Sequence, residues 1–161
     1  MKEGFAMLTS EDYVKLLKEG YIEKEIEVGG QVFTVRLLNT EDILVSDMVV
    51  DYLMTNVRSF ASVYAASLEV VARLAFIIQS IDGKPFEPAL ESSAIKSLID
   101  KLLDGTLDEN SKREFINKYV KPKIDKLLKM HPSVIEIITE KYNKLREEVT
   151  EFIKNGGGLP N

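Results

Sequence analysis

The stretch from Tyr21 to Leu37 constrains this chain more than any other. Tyr21, Glu23, Glu25 and Glu27 alternate with Ile22, Lys24, Ile26 and Val28; Gly29-Gly30 follows, and then Gln31-Val32-Phe33-Thr34-Val35-Arg36-Leu37. Period-two alternation on both sides of a glycine pair predicts a β-hairpin, because both turn residues can take positive φ. A lone hairpin is marginal in water. Its apolar side must therefore lie on the rest of the chain, and the rest of the chain reads as helix.

Thr9-Ser10-Glu11-Asp12 is a helix start, a hydroxyl cap followed by acids, and Tyr13, Leu16 and Leu17 give a short apolar stripe that Gly20 ends. Asn39-Thr40-Glu41-Asp42 starts a second helix, with Ile43, Leu44, Met48 and Tyr52 expected inward. Phe60 to Ile81 is apolar enough to raise the question of a membrane span. Glu69 and Arg73 stand in its middle, where charge is costly in lipid, and their four-residue spacing lets them pair. It is expected to be a buried central helix ending near Ser80. Ile81-Asp82-Gly83-Lys84-Pro85-Phe86 reads as a tight turn flanked by a very small hairpin.

The C-terminal half carries three further helical patterns. One spans about Ser92 to Leu103, with Ile95, Leu98, Ile99, Leu102 and Leu103 at helical spacing and Gly105 as its stop. Asp108 caps the next, which holds Phe115, Ile116, Tyr119 and Val120, is interrupted by Pro122, and continues through Ile124, Leu127 and Leu128. After His131-Pro132, the positions Ile135, Ile138, Tyr142, Leu145, Val149 and Phe152 recur every three or four residues, the seam of a packed helix. The expected architecture is mainly α: an N-terminal helix (1–20), a β-hairpin (21–38), a helical core domain (39–154) and a flexible tail (155–161), α+β but poor in strands.

Composition narrows the function classes. The 161 residues suit one domain and contain no cysteine, which removes disulfide frameworks and thiolate sites. The net charge of −5 argues against a general nucleic-acid binder. The cations of residues 112–130 (Lys112, Arg113, Lys118, Lys121, Lys123, Lys126 and Lys129) are expected to form a solvated helix face. Met1–Ser10 has no apolar run of signal-peptide length, so secretion is not expected. His131 is the one histidine and lacks the partners that metal binding or acid–base chemistry needs. Asp47 and Asp51 read as the polar face of a capped helix, and Asp82-Gly83-Lys84 lacks the spacing of a phosphate loop. No enzyme, cofactor, metal, nucleic acid or membrane partner is expected. The C-terminal seam (Ile135, Ile138, Tyr142, Leu145, Val149, Phe152) admits two readings: packing on the Phe115–Leu128 helix, or a surface for a partner's amphipathic helix.

The order of parts resembles a known family. A hairpin ending in Phe33-Thr34-Val35-Arg36-Leu37-Leu38 runs into the Thr40-Glu41-Asp42 helix start. The helix Val70-Val71-Ala72-Arg73-Leu74-Ala75-Phe76-Ile77-Ile78 then closes on Ile81-Asp82-Gly83-Lys84-Pro85, and a helical half follows. Over most of residues 21–145 this is similar to the tail assembly chaperones of long-tailed bacteriophages. The resemblance implies a non-enzymatic protein of the host cytoplasm that binds the tape measure protein and helps recruit tail tube subunits. In many phages with such proteins a programmed frameshift near the end of the gene makes a longer second product, and the codons of Gly156-Gly157-Gly158 are a candidate for the slippery guanine run. Met48, Met54, Phe60 and Tyr64 are candidates for an adaptable apolar groove, and the chain is a candidate for self-association. The alternative is a structural protein of the tail, baseplate or neck that stays in the virion.

Overall fold

The computed structural model describes residues 8–56 and 62–156. Helix α1 (Ser10–Glu19) leads into strands β1 (Glu23–Val28) and β2 (Gln31–Arg36), then α2 (Thr40–Asn56) and α3 (Ser62–Ile77). Strands β3 (Ile78–Ile81) and β4 (Lys84–Pro85) follow. The chain ends in α4 (Ser92–Asp104), α5 (Glu109–Phe115), a π turn (Ile116–Val120), α6 (Lys121–Leu128) and α7 (Pro132–Lys154). The expected mainly helical, strand-poor α+β class is the class observed. Among the described residues no helix is long and apolar enough to cross a membrane.

The hairpin forms as the alternation requires. Val28 pairs with Gln31 across Gly29 and Gly30, whose φ of 59° and 83° are those of a type I′ turn. Ile22, Ile26, Val28, Phe33, Val35 and Leu37 are buried, while Glu23, Glu25 and Glu27 are exposed. The hairpin is not alone, however. β2 also pairs antiparallel with β3, and β3 with β4, giving one four-stranded sheet in the order β1-β2-β3-β4. One face lies on the helices; on the other, Glu23, Glu25 and Glu27 of β1 are exposed and Val32, Thr34 and Arg36 of β2 are half-buried, the two-sided character that antiparallel sheets allow.

The sequence therefore misplaces the end of the central helix. It stops at Ile77, and Ile78–Ile81 is strand. Gln79 sets this boundary in part: its Nε2 donates to the carbonyls of Phe76 (3.0 Å) and Ile77 (3.2 Å), which have no intrahelical partner. Lys123 Nζ does the same for Ala75, at 3.3 Å. Asp82, at φ 51°, then opens the β3–β4 turn and locks it to β2: its Oδ1 accepts from the Val32 N–H (2.8 Å), and its own N–H donates to the Val32 carbonyl (2.7 Å). Asp82→Ala removes the side-chain bond to Val32, keeps the main-chain one, and leaves an alanine in a left-handed conformation. The expected cost is about 1–2 kcal/mol, read from urea unfolding.

Helix caps follow local rules. Thr9 and Asp12 form a reciprocal capping box, and Asn39 Oδ1 accepts from the Asp42 N–H at 2.9 Å. The phase of α2 differs from expectation. Val45, Val49 and Val50 are buried, whereas Ile43 and Leu44 are about half exposed (45% and 46%); Met48 and Tyr52 are partly buried. A buried ion pair at the start of the helix fixes its rotation. Arg36 Nη2 lies 2.9 Å from Asp42 Oδ2, and its guanidinium stacks 3.8 Å above the Tyr21 ring. Burial pushes the Asp42 carboxyl above the usual range even though Arg36 pulls it down. Holding Asp42 inward puts Val45 and Val49 inward with it, one and two turns on.

The central helix is buried on its C-terminal half, at Val71, Ala72, Leu74, Ala75, Phe76 and Ile77. Glu69 and Arg73 pair as their spacing predicts, at 3.3 Å, and Arg73 reaches Asp47 of α2 at 2.7 Å. Asp47 is thus an interhelical partner as well as part of a polar face.

Candidate functional site

Helix α7 positions all six seam residues. Ile138 and Leu145 are fully buried, and Tyr142 (7% exposed) and Val149 (8%) nearly so. Helix α7 lies on β1 and α3, Tyr142 reaches the backbone of Leu38, and Val149 lies beside Leu16 and Leu37; of the two readings of the seam, these positions are internal packing, made with elements other than the Phe115–Leu128 helix. Burial pushes the Tyr142 hydroxyl above its ordinary range. Phe152 is half-buried, its ring edge-on to Tyr13 of α1 at 5.9 Å. In this structure four of the six positions are core. Val149 lines a hollow with Leu16 and Leu37, and Ile135, near the start of α7, lines a groove with α3 and α6.

That groove runs between α3, the end of α6 and the start of α7, with a volume of about 560 Å³. Val70 and Val71 come from α3, Leu127, Leu128 and Met130 from α6 and the turn after it, and Ile135 from α7. Leu127 is buried while Leu128 is 60% exposed, so adjacent leucines form floor and lip. Glu136, Glu140 and Asn143 line the α7 side. His131 shapes the entrance to α7 as its N-cap, its Nδ1 accepting from the Ser133 N–H at 3.1 Å. This is the structural role its isolation suggests.

Sequence reasoning missed most of these residues. The Leu127-Leu128 pair followed by Met130 and a His-Pro break carried a usable signal: adjacent helical positions point about 100° apart, so at the edge of an apolar stripe one leucine can be core while the next stands at its rim. Met48 and Met54 are partly buried against the core and do not line the groove, so the methionine there is Met130. Phe60 and the side chain of Tyr64 lie outside the described residues, as do residues 157–161.

The basic run does not form one solvated face. Lys123 is buried at 3% exposure, and burial together with the Lys126 charge lowers its pKa to about 8. Lys126 donates to the Glu87 carbonyl at 2.8 Å, Arg113 Nε to the Tyr52 hydroxyl at 3.4 Å, and Lys112 pairs with Glu109. Among the described residues no three of His, Cys, Asp and Glu are grouped as metal ligands would be. Comparison with protein-family models, with curated proteins and with solved structures finds no match.

Proposed function

We propose that this chain is a tail assembly chaperone of a long-tailed bacteriophage, a non-enzymatic protein of the host cytoplasm. In this role it binds the tape measure protein and helps tail tube subunits gather around it. The observation that carries the proposal is the groove between α3, α6 and α7, apolar along its floor and acidic along the α7 side. A tape measure protein is long and amphipathic, and it aggregates if its apolar stripe stays bare. A groove of this kind takes the apolar face of a helix, and Glu136 and Glu140 stand where lysines or arginines beside that face would meet them.

Leu128 is the test position, because it is exposed and contributes little to the fold. Leu128→Asp is expected to leave stability within about 0.5 kcal/mol and to lower recovery of the co-expressed tape measure protein about tenfold, by placing an unpaired charge in the apolar contact. Equal recovery with wild type and variant would remove the groove from the proposal. Abundant peptides of this chain in purified virions would replace the chaperone with a resident tail protein.

A further inference from the structure

Strand β1 is the outer strand of the sheet. A two-residue turn makes its closing pair, Val28 and Gln31, a hydrogen-bonded one, and the alternation then makes Ile26/Phe33 and Lys24/Val35 hydrogen-bonded pairs. The Leu37 N–H donating to the Ile22 carbonyl at 2.9 Å continues the series. The main-chain N–H and C=O groups of Glu23, Glu25 and Glu27 consequently point away from β2. Among the described residues the Glu27 carbonyl accepts from Lys141 Nζ at 2.6 Å, and the outward groups of Glu23 and Glu25 have no partner. The register sets these three glutamates across from Arg36, Thr34 and Val32, on the face turned away from the helices, and all three are exposed.

A second copy of this chain is a poor occupant of that edge. A one-residue slip would turn the glutamates toward the helical layer, so edge pairing must keep the alternation. Every antiparallel register that does so sets glutamate across from glutamate, which is repulsive. A strand with lysine or arginine at alternate positions meets the opposite situation: each cation faces a glutamate while the outward main-chain groups are satisfied. Lys24, on the other face, is already paired with Asp12 at 2.8 Å and adds no free repulsion. Lys141, at the Glu27 end, limits how far the added strand extends.

We propose that the Glu23–Glu27 edge accepts an extended segment of a partner protein, basic at alternate positions, as a further strand of the sheet. This contact is independent of the groove between α3, α6 and α7. Main-chain bonds supply the affinity and the glutamate row supplies the choice of partner.

The test uses the full chain and a synthetic peptide alternating lysine with valine. A scrambled peptide of the same composition and a peptide alternating glutamate with valine serve as controls. Binding is read by fluorescence anisotropy, and its location by amide hydrogen exchange. The expected result is binding of the alternating basic peptide alone, weakened by salt, with new protection at the Glu23 and Glu25 amides. Glu25→Pro deletes one outward N–H and leaves the β2 ladder intact, and it should weaken binding about tenfold. Glu25→Lys changes only an exposed side chain, so it serves if the proline variant fails to fold, and it should weaken binding about as much. No binding, equal binding of the scrambled peptide, unchanged affinity in a folded variant, or protection elsewhere would each overturn the proposal.

Discussion

Truncating Leu145 to alanine is expected to lower the unfolding free energy by about 3 kcal/mol. For a chain of this length that corresponds to a fall in Tm of about 6–12 °C. Leu145 has no exposed surface and stands in the middle of the α7 seam, between Tyr142 and Val149, where α7 lies on β1 and α3. Removing its side chain leaves a cavity that a sheet and two helices, each held at several other points, cannot close. Leu128→Ala is the internal control. Its side chain is 60% exposed, so its loss should change stability by no more than about 0.5 kcal/mol. Urea unfolding of both variants separates two uses of the seam. A large loss for Leu145 with little for Leu128 identifies the seam as core. A small loss for both would mean that α7 is loosely held and that its apolar stripe is free to take a partner.

Local chemistry was the part of the fold legible in the sequence. The glycine pair of the hairpin, the Thr9 capping box, the Asn39 and Asp108 caps and the Gly20 and Gly105 stops all act within a few residues of themselves. The i,i+4 pair of Glu69 and Arg73 is equally local. Features that depend on distant contacts were not legible. Ile77-Ile78 continues an apolar run without a break in composition, and the run becomes strand where β2 offers an open ladder and Gln79 satisfies the helix end. In α2, apolar residues occupy nearly every side of the helix, so the sequence does not define an inward face. The Arg36–Asp42 ion pair decides it instead and leaves Ile43 and Leu44 outside.

The groove was obscure for the same reason. Its residues come from three segments centred near positions 70, 128 and 135, and none of them is unusual within its own helix. The seam was visible because it lies on one helix, but visibility of a stripe says only that something covers it. Here β1, α3, Leu37-Leu38 and α1 do so between them. Lys123 is the opposite case, a residue whose placement the sequence did contain. It falls one turn after Tyr119 and one turn before Leu127, on the same stripe as Ile116, Val120 and Ile124, all of them buried. Grouping it with the other cations of its segment hid that position.

The burial of Lys123 sets the second large effect, which appears as a dependence on pH. Its ammonium lies beneath the C-terminal end of α3, donating to the Ala75 carbonyl, with the Phe86 ring 5.8 Å away. The helix end favours a cation there, but loss of water outweighs it, and Lys126 adds repulsion, so the pKa falls from 10.5 to about 8. A lysine whose folded pKa lies below its unfolded one binds fewer protons in the native state over that interval, so stability rises with pH there. Below about pH 8 the burden is complete, at about 3 kcal/mol, and above pH 10.5 it is gone. Lys123→Met removes the titration but leaves the Ala75 carbonyl without its donor, at a cost of about 1–3 kcal/mol. At pH 7 the two changes nearly cancel, with the variant ahead by about 1 kcal/mol. By pH 10.5 the wild type should have gained about 3 kcal/mol relative to the variant and be the more stable of the two. Differencing the two proteins cancels the lysines and tyrosines that titrate alike in both. Lys126→Gln should narrow the interval from below, because it removes the repulsion and lets the Lys123 pKa rise. Parallel wild-type and Lys123→Met stability curves across pH 8 to 10.5 would mean that the ammonium reaches water, and that α3 ends at Ile77 without its help.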